Sequence, residues 1–143
     1  PYADWCMENL GRRLGGLKLM HQLGLDVRAV RDLTTAACLR FNDRIADAPG
    51  VRYFSVAGAR PWHRVPAFML HSHRIVGALE GDNDGVVSVS SARWGEHLAT
   101  WPADHLHAIN KRLVPEIRQR TGDITPRYLA ILDHLRDAGL CES

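Results

Sequence analysis

Two residues in this sequence have the types and the setting for proton transfer. Asp84 stands in Asp82-Asn83-Asp84-Gly85-Val86-Val87, and His105 follows 21 residues later in Trp101-Pro102-Ala103-Asp104-His105-Leu106-His107. Each falls on a loop beside an expected element, where a side chain can face a cleft while a rigid scaffold holds the backbone. An imidazole moves protons near neutral pH, and a carboxylate behind it fixes its tautomer and stabilises the imidazolium that forms. Acid first and histidine second is also the chain order of the later two members of some serine triads. Spacing alone does not single the pair out, because both residue types are common and Asp82 competes with Asp84 in the same turn.

The remaining chemistry-bearing residues read more plainly. His63, His71 and His73 resemble a zinc cluster only on paper, since His71 and His73 on one helix point about 200° apart and cannot share a metal. His97 and His134 stand in no motif. Asp104 is adjacent to His105, but neighbours in sequence often point apart, so a solvated carboxylate is expected there. Trp62 and Trp94 read as packing residues. Cys6, Cys38 and Cys141 are far apart and in no metal or redox spacing, which leaves three idle thiols rather than a disulfide scaffold.

The elements that would position these residues follow from periodicity. Tyr2 to Leu23 sets Trp5, Met7, Leu10, Leu14, Leu17 and Leu19 among charges but is interrupted by Gly11, Gly15 and Gly16. Interior glycine weakens a helix, so two short amphipathic helices or a helical flap are expected. Val30, Leu33, Ala37, Leu39, Phe41 and Ile45 recur at helical spacing from Val27 to Ala46, with Thr34 or Thr35 as N-cap. Val51 to Ala57, bounded by Pro49-Gly50 and Gly58, is a buried strand. Arg60 to Val65 is a loop, and Pro66 opens a helix running to about Leu79. Gly81 to Gly85 is a turn, His97 to Trp101 a second strand, and helices are expected from about His105 to Arg120 and from Thr125 to Ala138, with Gly139 as C-cap. No internal repeat or low-complexity tract is present. Helices alternating with strands give an α/β class, yet a parallel sheet must be covered on both faces. Two short strands are a poor sheet by that standard, so further strands are expected on a preceding piece of polypeptide.

The wording around Asp84 and His105 adds a resemblance. Asn83-Asp84-Gly85-Val86-Val87-Ser88, followed by Ser90-Ser91-Ala92 and then by Trp101 to Asn110, resembles the end of bacterial triacylglycerol lipases of the Pseudomonas and Burkholderia type. Leu33-Thr34-Thr35-Ala36-Ala37 with Phe41-Asn42 is similar to a helix of that family, and Pro1-Tyr2-Ala3-Asp4-Trp5 to the stretch after its Pro-His-Arg-Gly-Ser turn. The resemblance implies the C-terminal part of an α/β-hydrolase fold that cleaves carboxylic ester bonds of lipids, with Asp84 as triad acid and His105 as general base. It also implies a helical lid-like segment over 1–32, a core segment over 33–143, and a secreted or periplasmic setting. There are two departures. No serine is flanked as Gly-x-Ser-x-Gly, so the nucleophile is expected on a missing N-terminal part of the same hydrolase, its partner in catalysis. The family's calcium ligands would fall on His107 and Lys111, which offer no anionic oxygen, so no metal or other cofactor is expected.

Composition sets the outer bounds. The chain has 143 residues, 45% hydrophobic and 24% charged, with net charge +2. No apolar run reaches the length of a membrane span, and Lys and Arg are interleaved with Asp and Glu, so neither an integral membrane segment nor nucleic-acid binding is expected. Pro1 in place of an initiator Met reads as a cut or processed start. On the resemblance, the hydrophobic share describes a core that this piece alone does not close. Two alternatives stay open: a non-catalytic interaction module derived from the hydrolase fold, and an acyltransferase on the same scaffold.

Overall fold

The computed structural model describes residues 1–12, 27–111 and 122–140. The elements are α1 (Tyr2–Arg12), α2 (Val27–Asp32), α3 (Thr35–Arg44), β1 (Phe54–Gly58), α4 (Leu70–Glu80), β2 (Glu96–Trp101) and α5 (Thr125–Asp137). Short 3₁₀ turns lie at Trp62–Arg64, Ala67–Met69 and His107–Ile109. The architecture is mixed helix and strand around a small parallel sheet, which agrees with the α/β class. Gly15 and Gly16, Cys141, and the 112–120 part of the expected helix lie outside the described residues.

The β1 and β2 strands pair in parallel with Phe54 opposite Glu96 and Gly58 opposite Trp101, and a register shift between Ser55 and Val56 leaves Leu98 as the extra residue. Parallel strands need a crossover, supplied here by residues 59–95 with α4. Helix α5 lies against the sheet, meeting Phe54 through His134 and Trp101 through Tyr128. Trp101, Ala103 and Ile124 form a buried cluster with Val56, Ala99, Ala108 and Ile131 packed against it. Ile124, Tyr128 and Ile131 recur at helical spacing, the stripe a surface helix presents to a core. Tyr128 meets Trp101 edge-on at 4.9 Å, and its hydroxyl donates to the Ala108 carbonyl at 2.6 Å. The other apolar buried residues, Ala57, Val65, Met69 and Val76, lie on β1 and along the crossover.

Several expectations need correction. The single helix over Val27 to Ala46 is broken at Leu33-Thr34. Thr34 holds the N-cap position of α3, as expected, with an extended backbone (φ −68°, ψ 149°), but its hydroxyl turns back to the Arg31 carbonyl at 2.8 Å and makes no cap bond. The cap comes from α1: Asp4 accepts the Thr35 N–H at 3.0 Å and the Thr35 hydroxyl at 2.6 Å. The apolar positions of that stretch, Leu33, Leu39, Phe41 and Ile45, are exposed rather than buried. Pro66 opens a 3₁₀ turn, and α4 begins only at Leu70. The helix expected from His105 does not start there, because the 3₁₀ turn His107–Ile109 ends at Asn110 in the left-handed region (φ 57°). Trp62 and Trp94, expected to pack, are exposed at 58% and 43%. Trp94 donates its indole N–H to Asp47 at 3.0 Å, which satisfies the polar end of the ring at the surface.

At the C-terminal end of β1 the backbone is crowded. A Cβ on Gly58 would sit 2.9 Å from the Ala103 carbonyl oxygen and 2.9 Å from Asp84 Cβ. Only glycine lets the Asp84 turn and the stretch before His105 close on the strand together. Gly58→Ala is therefore expected to destabilise by about 1–3 kcal/mol, the usual cost of overpacking, read as a lower urea midpoint. Gly122→Ala is the control, since its added methyl meets nothing within 4 Å; equal midpoints for the two variants would refute the crowding argument.

Candidate active site

The Asp84 turn is held by its own side chains. Helix α4 ends at Gly81 (φ 81°), and Asn83 then donates to the Gly81 carbonyl at 2.9 Å while accepting the Gly85 N–H at 2.9 Å. Asp84 Oδ1 accepts the N–H groups of Val86 at 2.9 Å and Val87 at 2.7 Å. Gly85 adopts φ 102°, and Met69 lies where its Cβ would be. The positive φ is what favours glycine at that position, since the nearest Met69 atom is the end of a flexible side chain. Ser88, fully buried, braces the far side by hydrogen bonds to the Glu80 carboxylate and from the Ser91 N–H. The turn leaves Asp84 buried with its second oxygen, Oδ2, aimed out of the loop.

That oxygen meets His105. The His105 Nδ1 lies 2.8 Å from Asp84 Oδ2, and the His105 backbone N–H donates to the Asp84 carbonyl, also at 2.8 Å. A carboxylate only accepts, so Nδ1 is the protonated nitrogen and Nε2 presents its lone pair. Among the described residues nothing bonds Nε2, and the ring is 49% exposed where Asp84 is 9%. The hydrogen bond to Asp84 is the largest influence raising the imidazole's pKa above its usual 6.5; burial opposes it, and the charges of Asp84 and Asp104 add to it. Such a pair can relay a proton at Nε2 while Asp84 steadies the imidazolium.

Asp104 is not solvated, contrary to expectation: it is 2% exposed and forms an ion pair with Arg60 at 2.7 Å, whose side chain is 5% exposed. Its other oxygen accepts the N–H groups of Leu106 at 3.1 Å and His107 at 2.9 Å, closing the turn around His105. Arg60 Nη2 donates to the Pro102 carbonyl at 2.9 Å and reaches His107 Nδ1 at 2.8 Å. Because guanidinium only donates, His107 is neutral with its proton on Nε2, which donates to the Gly122 carbonyl at 2.8 Å. Calcium does not fit here. Both ring nitrogens of His107 are engaged, and the Asp104 carboxylate is spent on Arg60 and two backbone amides, so among the described residues of this turn no free carboxylate is left for calcium.

The other histidines are dispersed as the helix geometry required. His71 stacks edge-on against Trp5 of α1 at 4.7 Å, while His73 donates from Nε2 to the Arg60 carbonyl at 2.8 Å. His63 lies against Trp62, His97 bonds Thr100 at 3.0 Å, and His134 meets Phe54 edge-on at 6.0 Å. Asp82 is exposed and takes part in the turn through its backbone carbonyl, which accepts the Val89 N–H at 2.8 Å. Cys6 and Cys38 are free thiols. Sequence reasoning missed Arg60. Its one sequence signal is its place directly after a buried strand, where a long cation has little water to reach.

No family model matches this chain, and no curated protein matches it either.

The raised His105 pKa has a testable sign. The folded value exceeds the unfolded one, so the stabilisation from the His105–Asp84 pair is fully present below about pH 6.5 and is lost as pH rises through the folded value. Asp84→Asn is expected to bring the His105 titration, followed by NMR of the ring protons, down toward the unshifted value. A His105 titration identical in the two proteins would contradict the assignment.

Proposed function

We propose that this chain supplies the acid and the histidine of a serine-type carboxylic ester hydrolase, Asp84 as acid and His105 as general base. The observation behind this reading is the bond from His105 Nδ1 to the buried Asp84 Oδ2 at 2.8 Å, with Nε2 turned outward. In the reaction Nε2 takes the proton of a serine hydroxyl as it attacks the ester carbonyl, then returns it to the departing alcohol. Asp84 keeps the productive tautomer and offsets the transient positive charge. The serine is contributed by polypeptide outside these 143 residues, since no Gly-x-Ser-x-Gly occurs within them.

The resemblance to bacterial triacylglycerol lipases supports lipid esters as the substrate class and the later part of an α/β-hydrolase as the scaffold. The parallel pairing of β1 with β2, and loops gathered at their C-terminal ends, agree with that scaffold. Segment 1–32 is the lid of this reading, with α1 resting on α4 through Trp5 and His71. The interaction-module reading draws on the missing elbow and differs in one outcome. A fluorophosphonate probe labels a serine in the full-length hydrolase and labels nothing in a binding module.

On p-nitrophenyl esters, the full-length protein is expected to lose roughly 10³-fold or more in kcat/KM with either His105→Ala or Asp84→Asn, the scale set by triad substitutions. Wild-type turnover by His105→Ala would rule the reading out.

A further inference from the structure

We propose that Arg60 is the positioning residue of this site: its guanidinium is an internal, covalently tethered cation that locks the turn carrying His105, so that the imidazole stays against Asp84. The inference rests on the ester-hydrolase reading for its kinetic consequence and on geometry alone for the rest.

Three acceptors of the guanidinium bracket His105 in sequence without including it. They are the Pro102 carbonyl at 2.9 Å, Asp104 Oδ2 at 2.7 Å and His107 Nδ1 at 2.8 Å. Asp104 passes the constraint on, because its other oxygen holds the amides of Leu106 and His107. The backbone of Arg60 fastens the opposing wall. Its N–H donates to the Asn83 carbonyl at 3.0 Å, the residue before Asp84, and its carbonyl accepts from His73 of α4. One residue therefore grips the acid turn with its main chain and the histidine turn with its side chain.

The fork geometry is what makes this work. A planar guanidinium presents several donors at fixed angles and reaches three acceptors together, whereas a lysine ammonium offers one compact charge on a flexible stem. The Arg60–Asp104 pair is nearly closed to solvent, so no water stands ready to replace a lost contact. Small displacements of a proton-transferring group reduce rate far more than they reduce binding. Arg60 touches neither substrate nor the transferred proton on this account; it acts through the turn.

The test uses the full-length protein with Arg60→Lys, Arg60→Gln and Asp104→Asn, and Arg52→Gln as a control that breaks an exposed ion pair with Glu96. The readout is the downfield Nδ1–H resonance of His105, which reports its bond to Asp84, together with kcat and KM. The Arg60 and Asp104 variants are expected to broaden or lose that resonance and to lower kcat roughly 10- to 100-fold, with KM changed less than about twofold. Arg60→Lys is expected to fall between wild type and Arg60→Gln, and in a further variant, Arg60→Ala, millimolar guanidinium is expected to restore part of the activity. Loss of thermal stability with the resonance and kcat intact would overturn the proposal and leave Arg60 a structural residue. If the wild-type protein cleaves no ester, the hydrolase reading fails while the resonance still decides the role of Arg60. Should none of the variants fold, hydrogen exchange of the Leu106 and His107 amides in the wild type decides. Exchange only through global unfolding supports the lock, and fast local exchange overturns it.

Discussion

A guanidinium taken out of water needs acceptors for the N–H groups it turns inward, and Arg60 finds them on one loop. Burial lowers the pKa of Arg60 from its ordinary value and the charge of Arg64 adds to that; the adjacent Asp104 carboxylate opposes the shift. The pair is stable because the geometry is complete: Asp104 uses one oxygen on the guanidinium and the other on two backbone amides, and His107 fills the third donor position. Removing one partner of such a pair typically costs about 3–5 kcal/mol, because the other is left as an uncompensated buried charge. The turn after β2 is thus tied to the exit of β1 by charge, beside the apolar cluster of Trp101, Ala103 and Ile124.

The second constraint is steric and lies directly beneath the first. Parallel strands end side by side, and ligand sites in α/β sheets form in the crevice beyond their C-terminal ends. Here β1 delivers Gly58 and then Arg60, β2 delivers Trp101 and then Asp104 and His105, and the turn after α4 delivers Asp84. Gly58 has no side chain to hold these three segments apart. Gly85, in a conformation that side chains rarely adopt, allows Val86 and Val87 to aim their amides back at Asp84. Crowding, charge pairing and amide donation converge on one outcome: a buried carboxylate behind a half-exposed imidazole.

Legibility varied with the range of the interaction. The strand at Val56-Ala57, the turn over Gly81 to Gly85 and the helix from Thr125 were visible because β-branched runs, glycine and helical periodicity act within a few residues. The preference for Asp84 over Asp82 came from a word of sequence, and the turn shows its physical basis: Asp84 Oδ2 bonds His105, while Asp82 contributes a backbone carbonyl. What misled was long-range. The side-chain cap of α3 comes from Asp4, 31 residues before Thr35, and not from the Thr34 hydroxyl. Leu39, Phe41 and Ile45 have the spacing of a core stripe, but periodicity states only that a helix has an apolar side, and the described residues place no core against it.

By itself the sequence determined the local material of the site: which residue can exchange a proton at neutral pH, which carboxylate follows a turn, where glycine permits the backbone to reverse, and that no serine elbow lies within these residues. These are properties of residue type and near neighbours. Tertiary structure alone decided that His105 Nδ1 meets Asp84, that Asp104 is buried rather than solvated, and that the Arg60 guanidinium stands between the loops. Those outcomes depend on contacts between residues 21 to 47 positions apart. Hydrogen-bond geometry and desolvation are set by where the folded chain brings groups together, and no local pattern encodes that distance.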